Sequence, residues 1–451
     1  MNKRDPGTFL LIIILSIWNI HIALAQKSDS TKTKVKTGWT FGALPAIAFD
    51  TDVGFRYGAL INLFNYGDGT RYPDYNHSLF FEWSNTTKGS MEIRSYYDSE
   101  FLIPKVRLTA DVSYLTEKAL DFYGLNGYEA KYHPEWEDEE DPSYVSRVFY
   151  RHERKMFRAM ASFQGNLMKS NEKLKWITGF VYFNNKISPV DLDKLNKGKD
   201  EADKLPDVPG LYDLYVEYNV LKPSERDGNQ LTYLKGGIVY DGRDFDAFPT
   251  KGIWTEAVFS YSPKFLGDWE SSYLKFTFIH RQYLPLIDKK LVFAYRLAYQ
   301  GTITGNVPFH IQPHIVPIDM RSATSQGLGG KNNLRGVLRN RVVGDGFILG
   351  NFELRWILLR TVVFNQNVYL GTNLFFDTGR IIQYIEQNLD QWPSESFSEY
   401  FDPGTESFHN SAGIGIKVGL NENFIVKGDY GHAFNMNDGE SGFYIGLNWL
   451  F

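Results

Sequence analysis

The residues best suited to chemistry sit in a glycine-rich stretch and in the two segments that follow it. Gly327-Leu-Gly-Gly-Lys-Asn-Asn-Leu-Arg-Gly-Val337 leads through Gly344-Asp-Gly346 into Asn351-Phe-Glu-Leu-Arg-Trp356, and Leu374-Phe-Phe-Asp-Thr-Gly379 comes next. In an extended chain, successive side chains point to opposite faces. Phe352, Leu354 and Trp356 then share an apolar face, which leaves Asn351, Glu353 and Arg355 on the other. Leu370, Thr372, Leu374 and Phe376 share the same kind of outer face, which leaves Tyr369, Asn373, Phe375 and Asp377 inside. Glu353 and Asp377 are thus two carboxylates on neighbouring inner faces. Arg335, carried by a loop whose glycines let it fold back, is the cation that fits them. A guanidinium offers planar, bidentate donors to two acids and stacks on a ring such as Phe375. That chemistry is a noncovalent clamp. The alternative reading makes Arg335 one solvated loop arginine among many, with the two carboxylates lining a wet pore.

Covalent chemistry finds no comparable set. His152-Glu153 does not extend to His-Glu-x-x-His, no Gly-x-Ser-x-Gly elbow occurs, and Gly330-Lys331 lacks the spacing of a phosphate-binding loop. Gly413-x-Gly-x-x-x-Gly419 lies in an alternating segment without strand–helix context and reads as sheet wall. The chain has no cysteine, which excludes a disulfide framework and thiolate metal sites. A net charge of −5 without a basic stripe gives nucleic-acid binding no support. The acidic run Glu135-Trp-Glu-Asp-Glu-Glu-Asp141 reads either as a divalent-cation site beside lipopolysaccharide or as a solvated loop. No enzyme activity, metal or cofactor is expected.

The elements that must position the clamp are strands. Alternating segments bounded by turn residues fall near 38–49, 53–66, 76–88, 90–102, 105–117, 146–168, 173–187, 230–242, 251–262, 270–284, 290–303, 346–359, 367–379, 409–420, 422–434 and 441–451. That count is even, as a single-chain bacterial barrel requires. Connections after even strands, such as Ser170 to Lys173, Pro285 to Lys289 and Asn421-Glu422, are short. The long ones, 118–145, 188–229, 304–345 and 380–408, all follow odd strands and so share one side. Short periplasmic turns and long outer loops are the asymmetry of outer-membrane barrels. Strand 146–168 is long enough to project beyond the membrane. Aromatics make up 16% of the chain, with 28 Tyr, 34 Phe and 10 Trp, which suits girdles at two membrane interfaces.

Both ends agree. Lys3 and Arg4 precede an apolar run from Phe9 to Ile22 and Ala23-Leu-Ala25, the pattern of a secretory signal peptide cleaved after Ala25. The other reading is an uncleaved anchor. Residues 26–37 then form a flexible lead, and the barrel runs from 38 to 451. At the far end Phe443, Ile445, Leu447, Trp449 and Phe451 share one face, while Gly442, Tyr444, Gly446 and Asn448 share the other. This fits a closing barrel strand, against the alternative of an amphipathic edge in a soluble sheet.

Leu334-Arg335-Gly336-Val337 resembles the Val/Ile-Arg-Gly-Phe/Tyr loop motif of the Omp85 superfamily, which spans BamA- and TamA-like assembly factors, two-partner secretion transporters and D15 surface antigens. Glu353-Leu-Arg355 and Phe375-Phe-Asp-Thr-Gly379 are similar to the next two barrel motifs. Tyr240-Asp-Gly-Arg-Asp244 with Phe248-Pro-Thr-Lys-Gly252 is similar to the upstream turn, and Trp39 to Asp50 to the first strand. The resemblance implies a sixteen-stranded outer-membrane β-barrel with a lumen latch in which Arg335 meets Glu353, Asp377 and Phe375. It also implies a weak seam between first and last strands, and a role in protein insertion or translocation at the outer membrane. There are two departures: Val337 replaces an aromatic residue, and no length remains for periplasmic POTRA domains. The expected partners are outer-membrane lipid and lipopolysaccharide, unfolded outer-membrane or secreted proteins, and a separate periplasmic subunit. A gated or passive channel, and a lipid-handling or structural subunit of an envelope complex, are the alternative readings.

Overall fold

A computed structural model describes residues 35–451 apart from 52, 72–74, 246–247, 316–325, 364–365 and 421–423. The expected signal peptide, most of the lead and the turn at Asn421-Glu422 lie outside the described residues. The first half of the wall is β1 (Trp39–Asp50), β2 (Gly54–Asn65), β3 (His77–Thr86), β4 (Met91–Ile103), β5 (Val106–Asp121), β6 (Arg151–Met168), β7 (Asn171–Ser188) and β8 (Gln230–Asp241). The second half is β9 (Gly252–Ser262), β10 (Tyr273–Ile287), β11 (Leu291–Gly305), β12 (Gly346–Val363), β13 (Gln366–Gln383), β14 (His409–Leu420), β15 (Phe424–Ala433) and β16 (Ser441–Leu447). Each strand pairs antiparallel with its neighbours in sequence, and β1 meets β16 to close the barrel. It is a transmembrane β-barrel of the outer membrane.

Period-two alternation decides the two surfaces. Trp83, Phe259, Trp356, Leu374 and Ile416 are exposed on the outside, whereas Asp111, Arg158, Glu353, Asp377 and Lys417 are buried in the lumen. Apolar side chains facing out and charges facing in reverse the rule for a soluble protein and suit a wall solvated by lipid. The lumen charges are paired. Arg94 and Arg158 both reach Asp111, at 2.5 and 2.7 Å, and Arg56 reaches Glu82 and Glu92 at 3.2 and 2.8 Å.

Strands β6, β7, β12 and β13 each have 18 residues. A tilted spanning strand needs only about 9–11, so these four extend past the bilayer and carry the outer loops. β6 starts at Arg151, not near 146, because Phe149 N–H bonds back to Ser146 and turns that segment into loop. Above the mouth the loops pack into an aromatic dome. It joins Phe122, Trp136 and Tyr150, the short helix Leu211–Glu217, Phe309, Trp392 and Phe401. The acidic run is tied into this dome: Glu137 pairs with Arg151 at 3.2 Å and Glu139 with Arg147 at 3.0 Å.

The closing strand departs from expectation. Phe443 and Leu447 are exposed on the outer face and Ile445 is half-buried. Asn448, however, takes a left-handed φ of 65° and donates its N–H to Ile425 O at 2.8 Å, which ends β16 at Leu447. Asparagine tolerates that conformation better than most residues. Trp449 and Phe451 therefore do not continue the lipid-facing row. Trp449 is buried among Phe248, Ile357, Tyr369 and Ile425, and its indole N–H donates to the Tyr369 hydroxyl at 3.3 Å. Phe451 packs near Tyr283 and Arg355, and Arg355 donates to the Phe451 main-chain oxygen at 2.8 Å.

The seam itself is short. Among the described residues β1 is in register with β16 only at Phe49 with Ile445 and Asp50 with Tyr444, extended by Thr51 N–H to Phe443 O at 3.2 Å. On its other side β1 pairs with β2 along its whole length, from Trp39 with Asn65 to Asp50 with Gly54. Pro45, which has no N–H to give a ladder, is tolerated on such an edge strand.

Candidate functional site

The glycine-rich loop folds into the lumen, and its tip is held by the walls of β12 and β13. Arg335 is fully buried. Its Nε and Nη2 donate to the Asp377 carboxylate at 2.9 and 3.0 Å, and its Nη1 donates to Glu353 at 2.7 Å. The Arg335 backbone N–H adds a fourth bond, to Asp377 at 3.2 Å. The guanidinium carbon lies 3.5 Å from the centre of the Phe375 ring. Three of the fork's donors are thus aimed at two acids while a ring covers the flat face, an arrangement lysine cannot reproduce.

The two acids are held by further partners. Asn351 donates to Asp377 at 2.8 Å and to Asn333 O at 2.6 Å, so a wall residue reaches both the acid and the loop. Glu353 also accepts from Arg355 at 2.7 Å and from Asn373 at 3.1 Å. Charges buried this way cost several kcal/mol each to desolvate, and the pairs recover it only because nearly every lone pair is used. Removing Arg335 takes from Asp377 and Glu353 the cation they share, leaving Glu353 to Arg355 and Asn373 and Asp377 to Asn351.

The flanking motif residues fix the loop's depth. Leu334 and Val337 are buried with Leu328, Val342, Leu349 and Ile381. Gly336 has φ 100°, and a Cβ there would sit 2.7 Å from the Gly431 carbonyl carbon and 2.8 Å from His432 N. Only glycine allows the loop to lie on the bare backbone of β15. Gly379 plays a milder part, since a Cβ on it would meet Leu328 and Leu334 methyls at 3.1 and 3.3 Å. Leu334, Arg335, Gly336, Val337, Glu353, Phe375, Asp377 and Gly379 thus come together in one cluster. The closing-strand residues Phe443, Ile445 and Leu447 lie outside it.

Sequence reasoning missed four members of the site. Asp429 on β15 lies 3.9 Å from Arg335 and pairs with Lys417 at 2.5 Å. The alternation Lys427-Gly-Asp429 could have placed that acid inside. Tyr444 on β16 accepts the Gly336 N–H at 3.1 Å, and Arg339 reaches β5, as described below. Nothing in the local pattern pointed to either contact. Among the described residues no group of three His, Cys, Asp or Glu is placed to hold a metal ion. The arrangement is a mechanical clamp between a loop and a wall.

Comparison with known proteins gives the same architecture. A structure of BamA from Haemophilus ducreyi lacking POTRA domains 1–3 is similar with a TM-score of 0.54 and 16% identity, covering 92% of this chain and 71% of that one. CdiB from Escherichia coli is similar with a TM-score of 0.53 and 11% identity, covering 92% of this chain and 64% of that one. No curated protein matches the sequence. The model of the Omp85 superfamily domain matches residues 84–451, which include the latch, its acids and the closing strand. The chain belongs to the Omp85 superfamily.

Proposed function

We propose that this barrel takes part in inserting proteins into the outer membrane or moving them across it, with the free side of β1 as the template. The observation that carries this reading is the seam, where β1 is in register with β16 at only two positions. From Trp39 to Ala48 the strand has a full ladder on the β2 side and no register partner on the β16 side among the described residues. An unpaired edge is a ready acceptor for an incoming strand, whose main-chain groups supply the affinity. Phe41 and Trp39 stand exposed along that edge, so an incoming strand would also find apolar side chains at membrane depth. No covalent step or nucleotide is needed. Substrates are unfolded outer-membrane or secreted chains, delivered by a separate periplasmic subunit.

Depletion of the protein followed by quantitation of the outer-membrane proteome tests the reading. Broad loss of other barrels supports general insertion, and loss of one or two surface proteins supports a dedicated translocator. An unchanged proteome overturns both, and leaves a gated channel or a lipid-handling role in an envelope complex.

A further inference from the structure

The loop that carries Arg335 has a second grip four residues later. Arg339 donates through Nε to Asp121 at 2.7 Å and through Nη1 to Glu117 at 3.1 Å. Asn340 adds a bond from its side chain to Asp121 O at 3.3 Å. Both acids belong to β5, whereas Glu353 and Asp377 belong to β12 and β13. In a closed barrel of sixteen strands, β5 stands seven or eight strands from β12 and β13, which is the opposite wall. The segment 326–345 is therefore a strap across the lumen, anchored by one arginine at each side.

The two anchors differ in depth and in what lies below them. Asp121 ends β5 at the outer mouth, while Glu353 sits well down β12. Under the Arg339 anchor the wall of β3 to β6 is lined by Glu82, Glu92, Arg94, Asp111 and Arg158, a polar, ion-paired face. The Arg335 side is packed instead, with Leu334 and Val337 in an apolar cluster and Gly336 against backbone.

We propose that Arg339 is the positioning residue that closes the water path through the lumen, and that Arg335 holds the strap in place without sealing it. The claim does not rest on protein insertion, because it concerns the lumen of the protein without substrate. Glu117 keeps Arg154 at 2.6 Å and Asp121 keeps Arg151 at 3.1 Å when Arg339 is removed, so neither acid is left bare.

The test is single-channel conductance of the full chain in planar bilayers, with heat-modified gel mobility as a check on the folded barrel. Arg339→Ala should raise unitary conductance several-fold with the barrel still folded, and Arg339→Lys, which keeps the charge, should fall between it and the parent. Arg335→Ala should change conductance less than Arg339→Ala does. A conductance for Arg339→Ala equal to the parent's overturns the proposal, as does a larger rise for Arg335→Ala. If Arg339→Ala fails to fold, the double variant Glu117→Gln/Asp121→Asn decides. It weakens the same anchor from the wall side, because Arg339 loses both carboxylate charges while amide oxygens remain to accept from Arg154 and Arg151. A several-fold rise there supports the assignment, and parent-like conductance overturns it.

Discussion

The hydroxyl of Tyr444 accepts the backbone N–H of Gly336 at 3.1 Å, which ties the tip of the lumen strap to the strand that closes the barrel. Tyr444 is also one of the two β16 residues in register with β1, opposite Asp50. Loop and seam therefore share a residue, and a change in one is felt by the other.

Tyr444→Phe removes the acceptor and leaves a buried N–H unpaired, at a cost of about 1–3 kcal/mol. The chain has no native cysteine, so Phe49→Cys with Ile445→Cys reports the seam cleanly. Disulfide formation between those register partners should be slower and less complete when Tyr444→Phe is added. Equal rates would show that loop and seam are independent.

Arg335→Ala leaves Glu353 and Asp377 without their shared cation. Breaking a buried pair in this way costs about 3–5 kcal/mol. The strap should become sensitive to protease added from outside, and the barrel should unfold at a lower temperature. Arg335→Lys should rescue only partly, since an ammonium lacks the fork. Unchanged protection in the alanine variant would show that the ion pairs do not hold the loop.

Gly336→Ala tests shape without altering any charge. The added methyl meets backbone atoms of β15 at 2.7 and 2.8 Å, and the positive φ is unfavourable for alanine. The strap should lift off β15, with protease sensitivity resembling that of Arg335→Ala and gel mobility of a folded barrel. Full protection would place the strap elsewhere.

The loops should also loosen in acid. Burial, with the charge of Arg154 second, pushes His310 down to about 3 and holds His314 well below its ordinary range. When the loops open, both imidazoles return to about 6.5. The open state then binds more protons below that pH. The closed state has its full stability above about 6.5 and loses it as pH falls toward 3. Each histidine shifts the opening equilibrium by up to about tenfold per pH unit inside that window. Hydrogen exchange of residues 306–315, corrected for the intrinsic rate, should rise accordingly between pH 6.5 and 4. A flat profile would show that opening leaves both rings buried.

Much of the wall was legible because a barrel strand repeats every two residues, and one face must be apolar for lipid. The same parity put Glu353 and Asp377 inside, and the glycines around Arg335 marked a loop free to join them. Parity says nothing about long-range partners. Glu117 and Asp121 lie 222 and 218 positions from Arg339, and their strand looks the same whichever loop meets it. The end of β16 misled for a related reason. Trp449 and Phe451 keep the outward parity, but a single left-handed asparagine outweighs it. The pull comes from an aromatic pocket whose members, Phe248 and Tyr369, are on distant strands and turns.

The topology also orders the assembly of the molecule itself. Fifteen of the sixteen strand pairings join neighbours in sequence, and each can form as soon as its hairpin is made. The sixteenth joins Thr51 to Phe443, which are 392 positions apart. Its closure entropy is the largest in the fold, and its two register pairs are the smallest return on it. The chain must therefore close its own circle last, and until then it carries two open strand edges of the kind on which its proposed work depends.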